Sequence, residues 1–292
     1  MSKNYDYDDY TIRKKLTLYG WAGVPMFFIV NIIASFLMVI GWAIVQALGG
    51  PALITFDNGE PAIADMTNLM LVSTIVGMFA YPLIWLFPFA RRQHKFVHGY
   101  GIKDLQDKMH TRTVHGAWLK AIGIGAAIGI GAFIVMGLIQ LALSPVLDGR
   151  DQSDTTTTMI VDSIKNAGTG SYVIQGVLVG LMACLIGPIM EELLFRGFIG
   201  MSFRDSIMFR KKSDKVRMWI IIILSGALFG VMHMQPGDTI VSIATMLLTG
   251  SLGAFLSWMS LYKFKTVVPG MATHAVYNSM TILLAVLAGI GM

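Results

Sequence analysis

Six polar side chains interrupt stretches that are otherwise apolar: Glu191, Glu192, Arg196, His233, His274 and Asn278. Each falls within or at the edge of a hydrophobic run long enough to cross a bilayer. Insertion scales assign a cost of roughly 2.5–3.5 kcal/mol to an ionisable group at mid-membrane, so those retained point to proton transfer, ion pairing or binding. Taken singly, a buried histidine is more often a packed, hydrogen-bonded residue, and a Glu–Arg pair more often a bundle staple. Several in one half of the chain carry more weight than any one of them.

Helical spacing sorts the group. Glu192 and Arg196 are four residues apart, share a face and can pair. Glu191 is turned about 100° from Glu192, so the adjacent acids divide: Glu192 is neutralised by Arg196 and Glu191 is left for chemistry. Phe229 and His233 repeat the four-residue spacing, as do His274 and Asn278. At a rise of ~1.5 Å per residue, Glu191 lies about 20 Å from Arg204, His233 about 24 Å from Arg217 and His274 about 14 Å from Lys265. All three can meet in the middle zone of a bilayer, with His233 the deepest.

The elements that must position them are membrane spans. Of the 292 residues, 55% are hydrophobic and 13% charged. Soluble domains carry about 25% charged residues, so most of this chain has no water-facing side. The runs 20–48, 67–90, 117–146, 172–203, 217–234, 239–262 and 266–290 predict an all-α fold, a polytopic transmembrane bundle of about seven spans (seven or eight helices). Run 172–203 is over-long and contains Pro188, which predicts a kink or an emergent end. In the third run, Gly125 and Gly129 have the spacing of close helix packing. The expected organisation is a cytoplasmic segment 1–19, a three-span region with loops over 20–171 and a four-span core over 172–292.

Loop charge alternates. Arg13–Lys15, the loop 91–116, the loop 204–216 and the pair Lys263/Lys265 are basic, whereas 49–66 is acidic and 147–171 is polar. The positive-inside rule then puts the N-terminus in the cytoplasm and the C-terminus outside, and explains the net charge of +5 without a nucleic-acid partner. The lone Cys184 excludes an intrachain disulfide.

Three motifs in order, Glu191-Glu192-Leu-Leu-Phe-Arg196, Phe229-Gly-Val-Met-His233 and His274-Ala-Val-Tyr-Asn278, resemble the signature of the CAAX-protease and bacteriocin-processing (Abi) family of intramembrane proteases. The resemblance covers roughly 173–280. It implies an intramembrane endopeptidase with Glu191 as general base, His233 holding the attacking water, and His274 and Asn278 stabilising the oxyanion, with Glu192 and Arg196 completing the site. It further implies a membrane-associated peptide or protein substrate in a bacterial cell membrane and lipid as the surroundings, with a sensor or secretion protein as a further partner. Glu191, His233 and His274 would also make a Zn2+ donor set. There is no His-Glu-x-x-His helix, however, and a metal-free glutamate mechanism fits the same residues. An immunity or scaffold protein is the alternative. A transporter is disfavoured, because no matching polar set stands in the first half.

Overall fold

The computed structural model describes residues 4–49, 56–57, 60–61, 63–81, 102, 104–148, 155–165, 170–209, 211–234 and 237–289. Helices dominate: α1 Asn4–Ala47, α2 Ile63–Tyr81, α3 Leu105–Lys108, α4 Val114–Leu147, α5 Thr155–Lys165 and α6 Gly170–Leu181. After α6 the chain stays helical through α7 Gly187–Glu192 and α8 Met201–Asp205, joined by π-helical stretches at Met182–Ile186 and Leu193–Gly200. Next come α9 Asp214–Met232, α10 Thr239–Trp258 with a π-turn at Met259–Lys263, and α11 Val268–Gly289. The described non-helical pairing is a two-residue ladder, Phe56–Asp57 with Glu60–Pro61.

Among the described residues six helical segments are long and apolar enough to cross a membrane: Thr17–Ala47, Val114–Leu147, Val173–Asp205, Asp214–Met232, Thr239–Lys263 and Val268–Ala288. The chain is a multi-pass membrane protein. Of the expected span 67–90, the described part includes the apolar helix Leu71–Tyr81; 82–90 lies outside the described residues. Large apolar side chains such as Phe36, Leu141, Ile223 and Leu247 point outward. That suits a hydrocarbon solvent and would be an aggregation hazard in water.

Contacts divide the chain into two units, each discontinuous in sequence. The first comprises Met1–Val24, Ala90–Gln152 and Glu191–Tyr277. Its tightest pair is α9 against α10, and the reason is small residues. A Cβ on Gly226 would stand 2.6 Å from the Gly250 carbonyl, and one on Gly230 would collide with the Met246 carbonyl. Helix α4 meets α11 in the same way. A Cβ on Gly125 would strike the Pro269 carbonyl, one on Gly129 would come within 2.7 Å of the Thr273 carbonyl, and Thr273 Oγ1 donates to the Gly125 carbonyl at 2.9 Å. Without a hydrophobic drive between helices in lipid, such backbone approach and polar bonding hold them together. The bond and the contacts anchor the segment of α11 that carries His274.

At one end of this unit the basic segments gather. Burial pulls the Lys108 ammonium below the usual lysine range, and nearby Arg204 and Lys265 push the same way against the pull of Asp104. Lys120, whose stem runs along α4, reaches the Met109 carbonyl at 2.8 Å, which is the behaviour of a snorkelling lysine.

The second unit comprises Pro25–Phe89, Ser153–Met190 and Asn278–Met292. Leu71, Ile160 and Val179 form its described core, with Ile282 and Val286 packed against them. Helix α5 stands where the sequence reading has a polar loop. Its four threonines disfavour a helix, but Ile160, Val161 and Ser163 fall on one buried face against α6, and that packing decides the conformation. Pro188 is the second residue of α7, directly after the π-stretch Met182–Ile186.

Candidate functional site

The six residues sit on three elements. Glu191 and Glu192 end α7 between two π-stretches, and Arg196 follows within the second. Such i→i+5 turns widen the helix, re-aim the side chains that follow and recur at functional sites. His233 caps the C-terminus of α9, and His274 and Asn278 lie one turn apart on α11.

Glu192, Arg196 and His274 are sealed from solvent. Arg196 Nη1 lies 3.0 Å from Glu192 Oε1, as the four-residue spacing requires. Its Nη2 donates to the Gly253 carbonyl at 2.9 Å, and its guanidinium carbon sits 4.4 Å from the centre of the Phe229 ring. Phe229 is the hub of this arrangement, with its ring 4.3 Å from that of His233 and 5.6 Å from that of His274. It fits because residue 253 is glycine: a Cβ there would stand 2.9 Å from the Phe229 ring. Neither the Gly253 carbonyl nor the closeness of Phe229 to His274 has a signal in the sequence.

Hydrogen bonding fixes which nitrogen of each imidazole carries a proton. His233 Nδ1 lies 2.8 Å from the Phe229 carbonyl. A carbonyl only accepts, so Nδ1 is protonated, and in the neutral ring Nε2 keeps its lone pair. His274 Nδ1 lies 3.2 Å from Glu192 Oε1; a carboxylate paired with arginine accepts, so the same tautomer follows. Both Nε2 atoms then face Glu191 Oε2, at 3.6 Å for His233 and 3.9 Å for His274. That oxygen is buried and has no hydrogen-bond partner among the described residues.

Three acceptors directed at one small volume repel one another unless hydrogen comes between them. A water molecule supplies two O–H groups to such a set and keeps a lone pair for attack. Glu191 and His233 are 22% and 32% exposed against 3% for His274, so the cluster opens on their side. Histidines bonded through Nδ1 to a carbonyl and a carboxylate also resemble zinc ligands with their supporting shell. As folded, though, no group of three or more His, Cys, Asp or Glu side chains among the described residues could hold a metal ion.

Asn278 is placed differently from the other five. It belongs to the second unit, where its Nδ2 donates to the Ala183 carbonyl at 3.0 Å. That carbonyl is orphaned for a local reason. In the π-stretch Gly187 N–H bonds to Met182 five residues back; Ala183 would next pair with residue 188, which is proline and has no N–H. Asn278 supplies the missing donor. Replacing Asn278 by Ala strips that carbonyl of its partner and should cost about 1–3 kcal/mol, measurable as a lower unfolding midpoint in detergent.

Residues 173–280 match the family model described as type II CAAX prenyl endopeptidase, Rce1-like, and the matched segment includes all six residues. No curated protein matches the chain, and no solved structure does.

Proposed function

We infer, from a chain whose residues 173–280 form an Rce1-like domain of the CAAX-protease family, that Glu191 is the general base of an intramembrane endopeptidase acting on a membrane-attached peptide or protein. The observation that carries this reading is the convergence of both Nε2 atoms on Glu191 Oε2. A water molecule held there gives one proton to the Glu191 carboxylate as its oxygen attacks the peptide carbonyl, and His233 accepts its other O–H and orients it. The proton on Glu191 then passes to the leaving amine. Closely positioned proton transfer of this kind contributes about 10²–10⁴-fold.

In its neutral ring His274 offers a lone pair at Nε2, not a donor. It stabilises an oxyanion only after taking up a second proton, while Nδ1–H stays on Glu192. Asn278, bonded to Ala183 through Nδ2, has a second N–H on the same nitrogen for an oxyanion role. The gathering of Lys108, Arg204 and Lys265 at one end supports a cytoplasmic placement for that end, with the N-terminus inside and the C-terminus outside.

Purified protein in liposomes, supplied with acylated, prenylated and unmodified peptides, tests the activity: new termini in the mass spectrum that require Glu191 support it, and intact peptides throughout oppose it. Metal dependence is a separate measurement. Active protein is expected to contain far less than one equivalent of zinc and to keep its rate after exhaustive chelation. Zinc that tracks activity through removal and re-addition would replace the metal-free mechanism with a Glu191–His233–His274 zinc site.

A further inference from the structure

Glu192 is a buried carboxylate with unequal oxygens. Oε1 takes both Arg196 and His274 Nδ1, whereas Oε2 is buried and has no hydrogen-bond partner among the described residues. Ser260 is fully buried in the π-turn Met259–Lys263, and its hydroxyl is likewise unpartnered. The two meet at Gly270 on α11: the point where a Cβ of residue 270 would sit is 2.7 Å from Ser260 Oγ and 3.0 Å from Glu192 Oε2. The two oxygens are thus no further apart than one bridging water can span. One brings a donor and the other can only accept. Only glycine leaves the space between them open.

We propose that Ser260 is a positioning residue for Glu192: its hydroxyl supplies the hydrogen bond that Glu192 Oε2 lacks, directly after a small rotation or through one water, in a cradle that Gly270 keeps clear. This bond sets the plane of the Glu192 carboxylate, and with it the aim of Oε1 at His274 Nδ1. The Nδ1–H tautomer of His274, and therefore the lone pair that Nε2 turns towards Glu191, depends on that aim. A buried carboxylate lacking one of its bonds rotates or draws in other donors, because unpaired charge in a low-dielectric interior is costly. The effect on catalysis rests on the proteolytic reading above; the effect on His274 does not.

Two readouts separate the claims. With ¹⁵N-histidine-labelled protein in lipid nanodiscs, the parent should show His274 as the Nδ1–H tautomer. Ser260→Ala should give a mixture of tautomers, and Gly270→Ala should do the same by wedging the two oxygens apart. Ser260→Cys, nearly isosteric and a weaker donor, should fall between parent and Ser260→Ala. In a cleavage assay kcat of Ser260→Ala should drop about ten-fold, the scale of one hydrogen bond to a charged group, with KM unchanged. A tautomer change without cleavage in any variant upholds the positioning role and sinks the proteolytic reading. A His274 signal identical to the parent's in folded Ser260→Ala and Gly270→Ala overturns the proposal, whatever the cleavage rates.

Discussion

Glu191→Gln is expected to lower peptide cleavage by about 10²–10⁴-fold, the range for loss of a positioned general base, while leaving the protein at least as stable as its parent. The second half of that expectation discriminates. Glu191 Oε2 accepts no hydrogen bond from the described residues and faces Nε2 of two imidazoles, which in the neutral rings keep their lone pairs. Removing its charge therefore breaks no bond, and a carboxamide N–H in the same place would donate to one of those nitrogens. A group retained for folding behaves in the opposite way, because its removal lowers stability first and activity as a consequence.

The measurements are kcat/KM on a cleaved peptide and the unfolding midpoint in detergent, taken on the same preparations. Loss of activity at constant or raised midpoint is the signature of a site held at the expense of stability. Cleavage within a few-fold of the parent removes Glu191 from the chemistry. If cellular function also survives the substitution, the scaffold or immunity alternative becomes the better account.

Local rules gave the sequence much of this arrangement. The charge deficit sufficed for a membrane bundle, because bilayer solvation acts on composition before any fold is known. The Glu192–Arg196 pair followed from four-residue spacing, and Gly125 and Gly129 from their close-packing pattern; contacts on α4 and α11 agree. Tertiary closure stayed hidden. The π-stretches around Glu191 arise from packing and from Pro188, and no periodicity announces them. Asn278 shares a face of α11 with His274, yet its amide is drawn to a carbonyl freed 95 residues earlier in the chain. The threonine-rich Thr155–Lys165 looked like a loop because its helix exists by burial on α6, not by propensity. His233 looked the deepest of the three on a straight-rod estimate. It reaches Glu191 because α9 stops at Met232 and the imidazole is held at the cap by the Phe229 carbonyl.

Arg196→Ala is expected to be the most destabilising single change in this site, by about 3–5 kcal/mol, since it strands Glu192 as a buried charge without its counterion. The loss has identifiable parts. The carboxylate 3.0 Å from Nη1 is unpaired, the Gly253 carbonyl loses its donor, and the face of Phe229 loses the cation 4.4 Å from its centre. Lysine is a poor substitute, because a single ammonium cannot serve a carboxylate and a carbonyl on opposite sides while lying flat on a ring. The informative comparison is the double variant Arg196→Met with Glu192→Gln. Removing both charges together should recover most of the lost stability, since a buried ion pair replaced by neutral groups of similar volume is often neutral or better. Activity should stay low, because a carboxamide cannot hold His274 as a carboxylate does. Reversible unfolding in mixed micelles, read beside cleavage, resolves the two. If the double variant recovers cleavage along with stability, the pair is a staple and Glu192 has no part in setting His274; if stability returns and cleavage does not, the charge on Glu192 is there for the imidazole it faces.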